Sequence, residues 1–152
     1  MSSMTGDVLI DTNVFVYTYD ARDTAKRSRA LESLDRLAAN GHGRISTQVL
    51  GEIFRALTSR LAPRIAVAEA VEHLALMASF WPVLPVTTIV ALHAALGVRD
   101  HRLAYWDAQL WATARLNAIG AILTEEATHG RVLEGVTYLN PFAAAFDLAA
   151  LG

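Results

Sequence analysis

Val8-Leu9-Ile10-Asp11-Thr12-Asn13 is the stretch that sets the reading of this chain. Three consecutive apolar residues, two of them β-branched, predict a short strand buried on both faces. An acid then falls directly at the carboxyl end of that strand. Two short polar side chains follow, able to orient the acid or bond a water. Asp, Thr and Asn also favour helix N-caps, so the triplet alone leaves two readings open.

Outward from this point the same alternation repeats. A short helix is predicted over 14–19 and a longer one over 24–39. The second has Thr24 as N-cap, an apolar face of Ala30, Leu31, Leu34, Leu37 and Ala38, and a stop at Asn40-Gly41. Arg44-Ile45-Ser46 reads as a strand, and 48–61 as a helix with Leu50, Ile53, Phe54, Leu57 and Leu61 at helical spacing. Pro63 opens a further helix, to about Phe80. A strand over 83–86 leads to a helix capped by Thr87 or Thr88 and running to about Gly97. The last helix covers 106–118, with Gly120 as its stop. Ala121-Ile122-Leu123 is a strand, and 136–139 an edge strand before Pro141. Short apolar strands alternating with helices predict an α/β fold, a mainly parallel sheet covered by helices on both faces. Ligands in such sheets bind beyond the carboxyl ends of the strands, which is where Asp11 falls.

Composition narrows the function classes. The 152 residues suit one domain, 1–152, and 53% of them are hydrophobic, enough for a true core. No apolar run reaches the roughly 18–20 residues that span a bilayer, so no membrane association is expected. No basic start precedes an apolar segment, so no signal peptide is expected either. The absence of cysteine excludes a disulfide scaffold, a thiol nucleophile and a cysteine zinc site, and suits the cytoplasm. Net charge is −2, which argues against a general nucleic-acid binder. Residues 22–64 nevertheless hold nine basic and four acidic side chains, a local excess that could meet phosphates or form solvated helix faces.

The acids carry the chemistry. Glu52 lies near the start of a helix that follows a strand and borders its apolar face. Asp107 heads a stripe of Leu110, Trp111, Ala114 and Ala118, where burial demands a partner or a metal. Glu125 and Glu126 follow the strand Ala121-Ile122-Leu123 and Thr124. Each acid alone also reads as a cap or a charged loop. Together, acids at strand ends and helix starts gather at one sheet edge, where they repel one another and raise their pKa values. A divalent cation removes that conflict, and oxygen-only ligands favour Mg²⁺ or Mn²⁺. Such an ion activates a water and stabilises charge on a phosphate, the chemistry of phosphodiester cleavage.

Four blocks then resemble a known family. Asp11-Thr12-Asn13-Val14-Phe15-Val16-Tyr17 is similar to the opening motif of PIN-domain nucleases, and Ser46-Thr47-Gln48-Val49-Leu50-Gly51-Glu52 to their second block. Tyr105-Trp106-Asp107-Ala108 resembles the third. Leu123-Thr124-Glu125-Glu126, with His129-Gly130 and Asn140-Pro141-Phe142, resembles the fourth block and C-terminus of VapC-type toxins. The resemblance implies a three-layer α/β/α PIN-like fold and a Mg²⁺- or Mn²⁺-dependent endoribonuclease leaving a 5′-phosphate and a 3′-hydroxyl. It also implies a toxin role, an RNA substrate, a small VapB-like antitoxin and a homodimer or toxin–antitoxin hetero-oligomer. By position, Asp11, Glu52 and Asp107 become the core acids, with Glu126 as the fourth. The family usually has Asp at that last position, and the extra methylene moves the carboxylate by roughly 1.5 Å. Glu125 is the alternative. Thr12, Asn13, Ser46 and Thr124 are candidates to orient acids or water.

Three other signals compete. The five histidines include no pair at zinc-motif spacing. Trp81, Trp106 and Trp111 could stack bases, although Trp111 lies on an apolar stripe. Two further functions stay open: a phosphohydrolase with Asp11 as nucleophile, whose usual second Asp is Asn13 here, and a degenerate PIN domain that only binds RNA or protein.

Overall fold

A computed structural model describes residues 5–152. A six-stranded sheet has the order β3-β2-β1-β4-β6-β5, with β1 (Thr5–Ile10), β2 (Gly43–Ser46), β3 (Val83–Leu84), β4 (Ile119–Leu123), β5 (Val132–Leu133) and β6 (Val136–Leu139). Every pairing is parallel except that of β5 with β6. β1 is central, as its wholly apolar run requires. Leu9 and Ile10 are fully buried, as are Ile122 and Leu123 on β4. The helices are α1 (Thr12–Tyr17), α2 (Thr24–Asn40), α3 (Thr47–Arg55), α4 (Val67–Phe80), α5 (Thr88–His101) and α6 (Tyr105–Leu116). They flank the sheet as a three-layer α/β/α fold. No described helix is long and apolar enough to cross a membrane.

Two glycines set close approaches. A Cβ at Gly43 would lie 2.3 Å from the Trp81 ring, and one at Gly97 would lie 2.8 Å from the Trp111 ring. Real Cβ atoms do not come so near, so these glycines let Trp81 seat over β2 and let α5 close onto α6. Trp111 thereby fills the core between α5 and α6.

Several boundaries differ from the sequence expectation. Asp23, not Thr24, caps α2 by accepting the Lys26 N–H at 3.0 Å. On α2 the buried positions are Ala30, Ser33 and Leu37, while Leu31 turns outward. Ser33 can be buried because its hydroxyl donates to the Arg29 carbonyl at 2.9 Å. The helix expected over 48–61 leaves α geometry at Ala56 and finishes as a π-helical turn, Ala56–Arg60. Pro63 does not open α4, which begins at Val67 after the extended Ala66. Gly120 lies inside β4 rather than ending α6; the reversal falls at Asn117 and Ala118, the latter with φ of 55°. β6 is not the edge strand, because the two-residue β5 folds back beside it.

Candidate active site

The register of the sheet builds the floor of the site. Ile10 sits opposite Leu123 where β1 and β4 run parallel, so the next residues, Asp11 and Thr124, emerge side by side. The Asp11 N–H donates to the Leu123 carbonyl at 2.9 Å, extending the ladder by one step. Thr124 Oγ1 donates to Asp11 Oδ2 at 2.7 Å, and Asn13 Nδ2 donates to the same oxygen at 3.2 Å. The Thr12 N–H donates to Asp11 Oδ1 at 2.7 Å. Asp11 therefore starts α1 and faces the cavity at once: the cap reading and the functional reading describe one side chain. It is 8% exposed.

Around this floor lies a cavity of about 350 Å³. Asp11, Glu52, Asp107 and Glu126 all line it. Glu52 comes from α3, whose start is fixed by Ser46: Oγ of Ser46 accepts the Val49 N–H at 3.2 Å. Ser46 thus acts on the helix that carries Glu52, not on an acid directly. Asp107 lies in the first turn of α6. The buried stripe expected below it is real, with Leu110, Trp111 and Ala114 in the core, but Asp107 itself opens to solvent at the cavity mouth. Glu126 follows β4, and its N–H donates to Thr124 Oγ1 at 3.0 Å.

The four acids sense one another. Burial, above all, pushes the Asp11 carboxyl from 3.8 to about 6; the charges of Glu52 and Asp107 add to the rise, while the Thr124 and Thr12 hydrogen bonds oppose it. Glu52 is pushed up by burial and by Glu126 and Asp107, against the pull of Gln48 and Arg60. Glu126 is pushed up by burial and by Asp11 and Asp107, with Arg60 again opposing. Asp107 is raised by burial. Mutual repulsion of this kind is what a bound cation would relieve.

The neighbouring Glu125 has a different fate. Tyr17 OH donates to its Oε1 at 2.8 Å and Lys26 Nζ to its Oε2 at 2.7 Å. Lys26 also lies 4.9 Å from the Tyr17 ring centre and 5.5 Å from that of Phe142, close enough for cation–π attraction. Glu125 is tied into this clamp between α2 and the loop after β4. Its N–H donates to Asn13 Oδ1 at 3.2 Å, so the clamp also steadies an Asp11 partner.

The donor set is oxygen-only and hard, which suits Mg²⁺ or Mn²⁺ and not zinc. Among the described residues no three acidic or histidine side chains close into a ready ligand cluster. Four carboxylates on one cavity suit a cation that takes one or two carboxylates directly and keeps several waters, as Mg²⁺ does. The buried Thr12 hydroxyl fits the same picture: it has no partner, and Thr12 lines the cavity. An orphaned buried hydroxyl calls for a water or ligand beside it.

Of the nine basic residues in 22–64, Arg22 and Arg60 line this cavity. The others are placed elsewhere: Arg36, for instance, donates to the Gly152 carbonyl, and Arg44 to Gly41 and Gly43. Arg22 is itself held by Asp20 at 2.9 Å. None of the five histidines lines the cavity. His93 stacks on Trp111, and His101 pairs with Glu134 at 2.7 Å. Sequence reasoning passed over Gln48, Tyr17 and Lys26. Gln48 had a signal, since it stands four residues before Glu52 on one helix face. Lys26 and Glu125 lie 99 residues apart, and no local pattern joins them.

The fold has clear relatives. A toxin–antitoxin complex from Klebsiella pneumoniae superposes with a TM-score of 0.64 at 16% identity, covering 90% of this chain and 98% of that one. VapC20 of Mycobacterium tuberculosis, described as a sarcin–ricin loop cleaving toxin, gives 0.59 at 22% identity, covering 76% and 87%. DNA-bound VapBC from Salmonella typhimurium gives 0.62 at 17% identity, covering 87% and 96%. At such identities the likeness is one of fold. No curated protein matches the sequence significantly. Residues 8–132, which carry Asp11, Glu52, Asp107 and Glu126, match the PIN domain family model, and the chain belongs to the PIN domain family.

Proposed function

We propose that this protein is a Mg²⁺- or Mn²⁺-dependent endoribonuclease that serves as the toxin of a toxin–antitoxin pair. The observation that carries the reading is the convergence of Asp11, Glu52, Asp107 and Glu126 on one cavity, each with its carboxyl held above the ordinary range. These four would hold the cation, directly or through water. When bound, it supplies a nucleophilic water at neutral pH and neutralises charge on the phosphate. The products expected are a 5′-phosphate and a 3′-hydroxyl.

The chain's own groups have distinct tasks in this scheme. Thr12, Asn13 and Thr124 fix both oxygens of Asp11, so the carboxylate meets its cation already oriented. With its carboxyl near 6, Asp11 is largely ionised at pH 7 and takes up a proton as the pH falls below that value. Arg60 lowers the cost of keeping Glu52 and Glu126 charged, and with Arg22 offers the cavity's cationic wall to phosphate oxygens. Glu126 supplies the fourth carboxylate, since Glu125 is engaged by Lys26 and Tyr17.

The toxin role rests on the fold likeness to toxin–antitoxin complexes. Exposed apolar side chains concentrated on α4 and α5, among them Leu76, Phe80, Ile89 and Leu92, support a protein partner, either an antitoxin or a second copy. A phosphohydrolase with Asp11 as nucleophile is disfavoured, because both Asp11 oxygens accept hydrogen bonds and the position two residues on is Asn13. The test is a cleavage assay with purified protein on total RNA. Cleavage with Mg²⁺ or Mn²⁺, lost with chelator, is the expected result. Intact RNA at high protein concentration with either ion would leave only the binding-module reading.

A further inference from the structure

A second cavity, of about 520 Å³, adjoins the acidic one and shares Gln48, Glu52 and Trp106 with it. Its character is different. Arg55 and Gln109 line it, and Glu52 is its one acid. Trp106 stands between the two cavities with 64% of its surface exposed, whereas Trp81 and Trp111 are in the core. The base of Trp106 is nonetheless held. Its carbonyl accepts from Gln48 Nε2 at 3.0 Å, and the Tyr105 ring packs edge-on at 5.1 Å. A chain of amides runs along the cavity: Tyr105 OH donates to Gln109 Oε1 at 3.2 Å, and Gln109 Nε2 donates to Gln48 Oε1 at 3.0 Å. Gln48 also favours the charged form of the Glu52 carboxyl.

We propose that this second cavity is a nucleobase subsite, which takes an unpaired base of single-stranded RNA beside the phosphate in the acidic cavity. The proposal rests on the ribonuclease reading and names what holds the substrate. The base stacks on the open indole of Trp106, since every base has a π-face for an aromatic ring to meet. Gln48 and Gln109 are bonded to one another, to Tyr105 and to the Trp106 carbonyl, which fixes the wall against which the stacked base lies. Arg55 meets the adjoining backbone phosphate. Fixing the base there orients the neighbouring phosphodiester toward the four carboxylates. Gln48 and Glu52 border both cavities, so the subsite adjoins one of them directly.

Trp106 is the sole exposed tryptophan, so its emission reports on the subsite without any need for turnover. The protein is titrated in chelator with short oligomers of A, U, C or G ribonucleotides. Stacking tolerates any base, so quenching of emission and protection from acrylamide are expected with at least one oligomer, and Trp106→Phe should abolish the change. An abasic residue placed along the oligomer should remove the quench at one position only. Trp106→Ala should raise KM for cleavage by on the order of ten-fold, with kcat changed less. No quench with any oligomer, a flat abasic scan, or an unchanged KM in Trp106→Ala overturns the proposal. A quench without Mg²⁺-dependent cleavage would retain the subsite and defeat the ribonuclease reading. Normal cleavage with no quench would do the reverse.

Discussion

The floor and the rim of the acidic cavity are built on opposite principles. Asp11 and Thr124 are buried at the ends of two paired central strands, and their contact follows directly from register. Glu52, Asp107 and Glu126 come from the second turn of α3, the first turn of α6 and a loop, and the last two open to solvent. The floor keeps a carboxylate where water cannot relieve its charge; the rim keeps three where water can. The difference teaches that one acid is costly and precisely held, while the others are cheap and adjustable. A site of this design places its largest shift at Asp11, while burial also raises the three rim acids.

The sharpest way to break that contrast is to neutralise the floor. Asp11→Asn should reduce cleavage by on the order of a hundred-fold or more, beyond the usual effect of removing an orienting partner. The same substitution should stabilise the cation-free protein, which a melt in chelator would show. Equal loss of stability would mean that Asp11 is structural only.

A pH series sharpens the same contrast without mutation. Between 3.8 and about 6 the folded chain keeps a proton on Asp11 that the unfolded chain has released. Stability without cation therefore falls as pH rises through that window, by up to about 3 kcal/mol. Mg²⁺ should flatten the fall, because it favours the ionised carboxylate. Chemical denaturation at pH 4, 5, 6 and 7, with and without the ion, tests this. Asp11→Asn should remove most of the slope.

Thr124→Val probes how the floor is held. Losing the 2.7 Å hydrogen bond to Asp11 should cost about ten-fold in activity and move the acid limb of the pH–rate profile upward, since that bond lowers the Asp11 pKa. An unshifted limb would separate Thr124 from Asp11.

The smallest effect is expected from the clamp. Glu125→Gln should leave cation affinity unchanged and cost at most about 1 kcal/mol, because the Lys26 pair is partly exposed. Glu126→Gln should do the opposite, with lost activity and little change in stability. If the two exchange roles, Glu125 is the fourth acid.

How much of this was legible depended on how far apart the interacting residues stand. Asp11 at the end of Val8-Leu9-Ile10 could be read from six consecutive letters, and the parallel sheet from the repetition of such runs. Asn40-Gly41 announced the end of α2, and Gly41 does adopt a left-handed φ of 75°. β5 has only two residues, too few for any period, so β6 was mistaken for an edge. Ser33 was missed because its burial depends on a bond to its own helix carbonyl, not on its polarity. The exposure of Asp107 was missed for a related reason: a stripe pattern gives a side, but not where that side runs out of neighbours. The choice between Glu125 and Glu126 was open because it rests on Lys26 and Tyr17, which reach the loop from remote parts of the chain.

Mn²⁺ binding, followed by calorimetry on the wild-type protein and on single charge-neutralising variants, tests the shared cation most directly. Asp11→Asn, Glu52→Gln, Asp107→Asn and Glu126→Gln should each weaken it, Asp11→Asn the most, while Glu125→Gln binds as the parent does. Undiminished Mn²⁺ affinity in Asp11→Asn and Asp107→Asn would contradict the idea that these carboxylates meet around one ion.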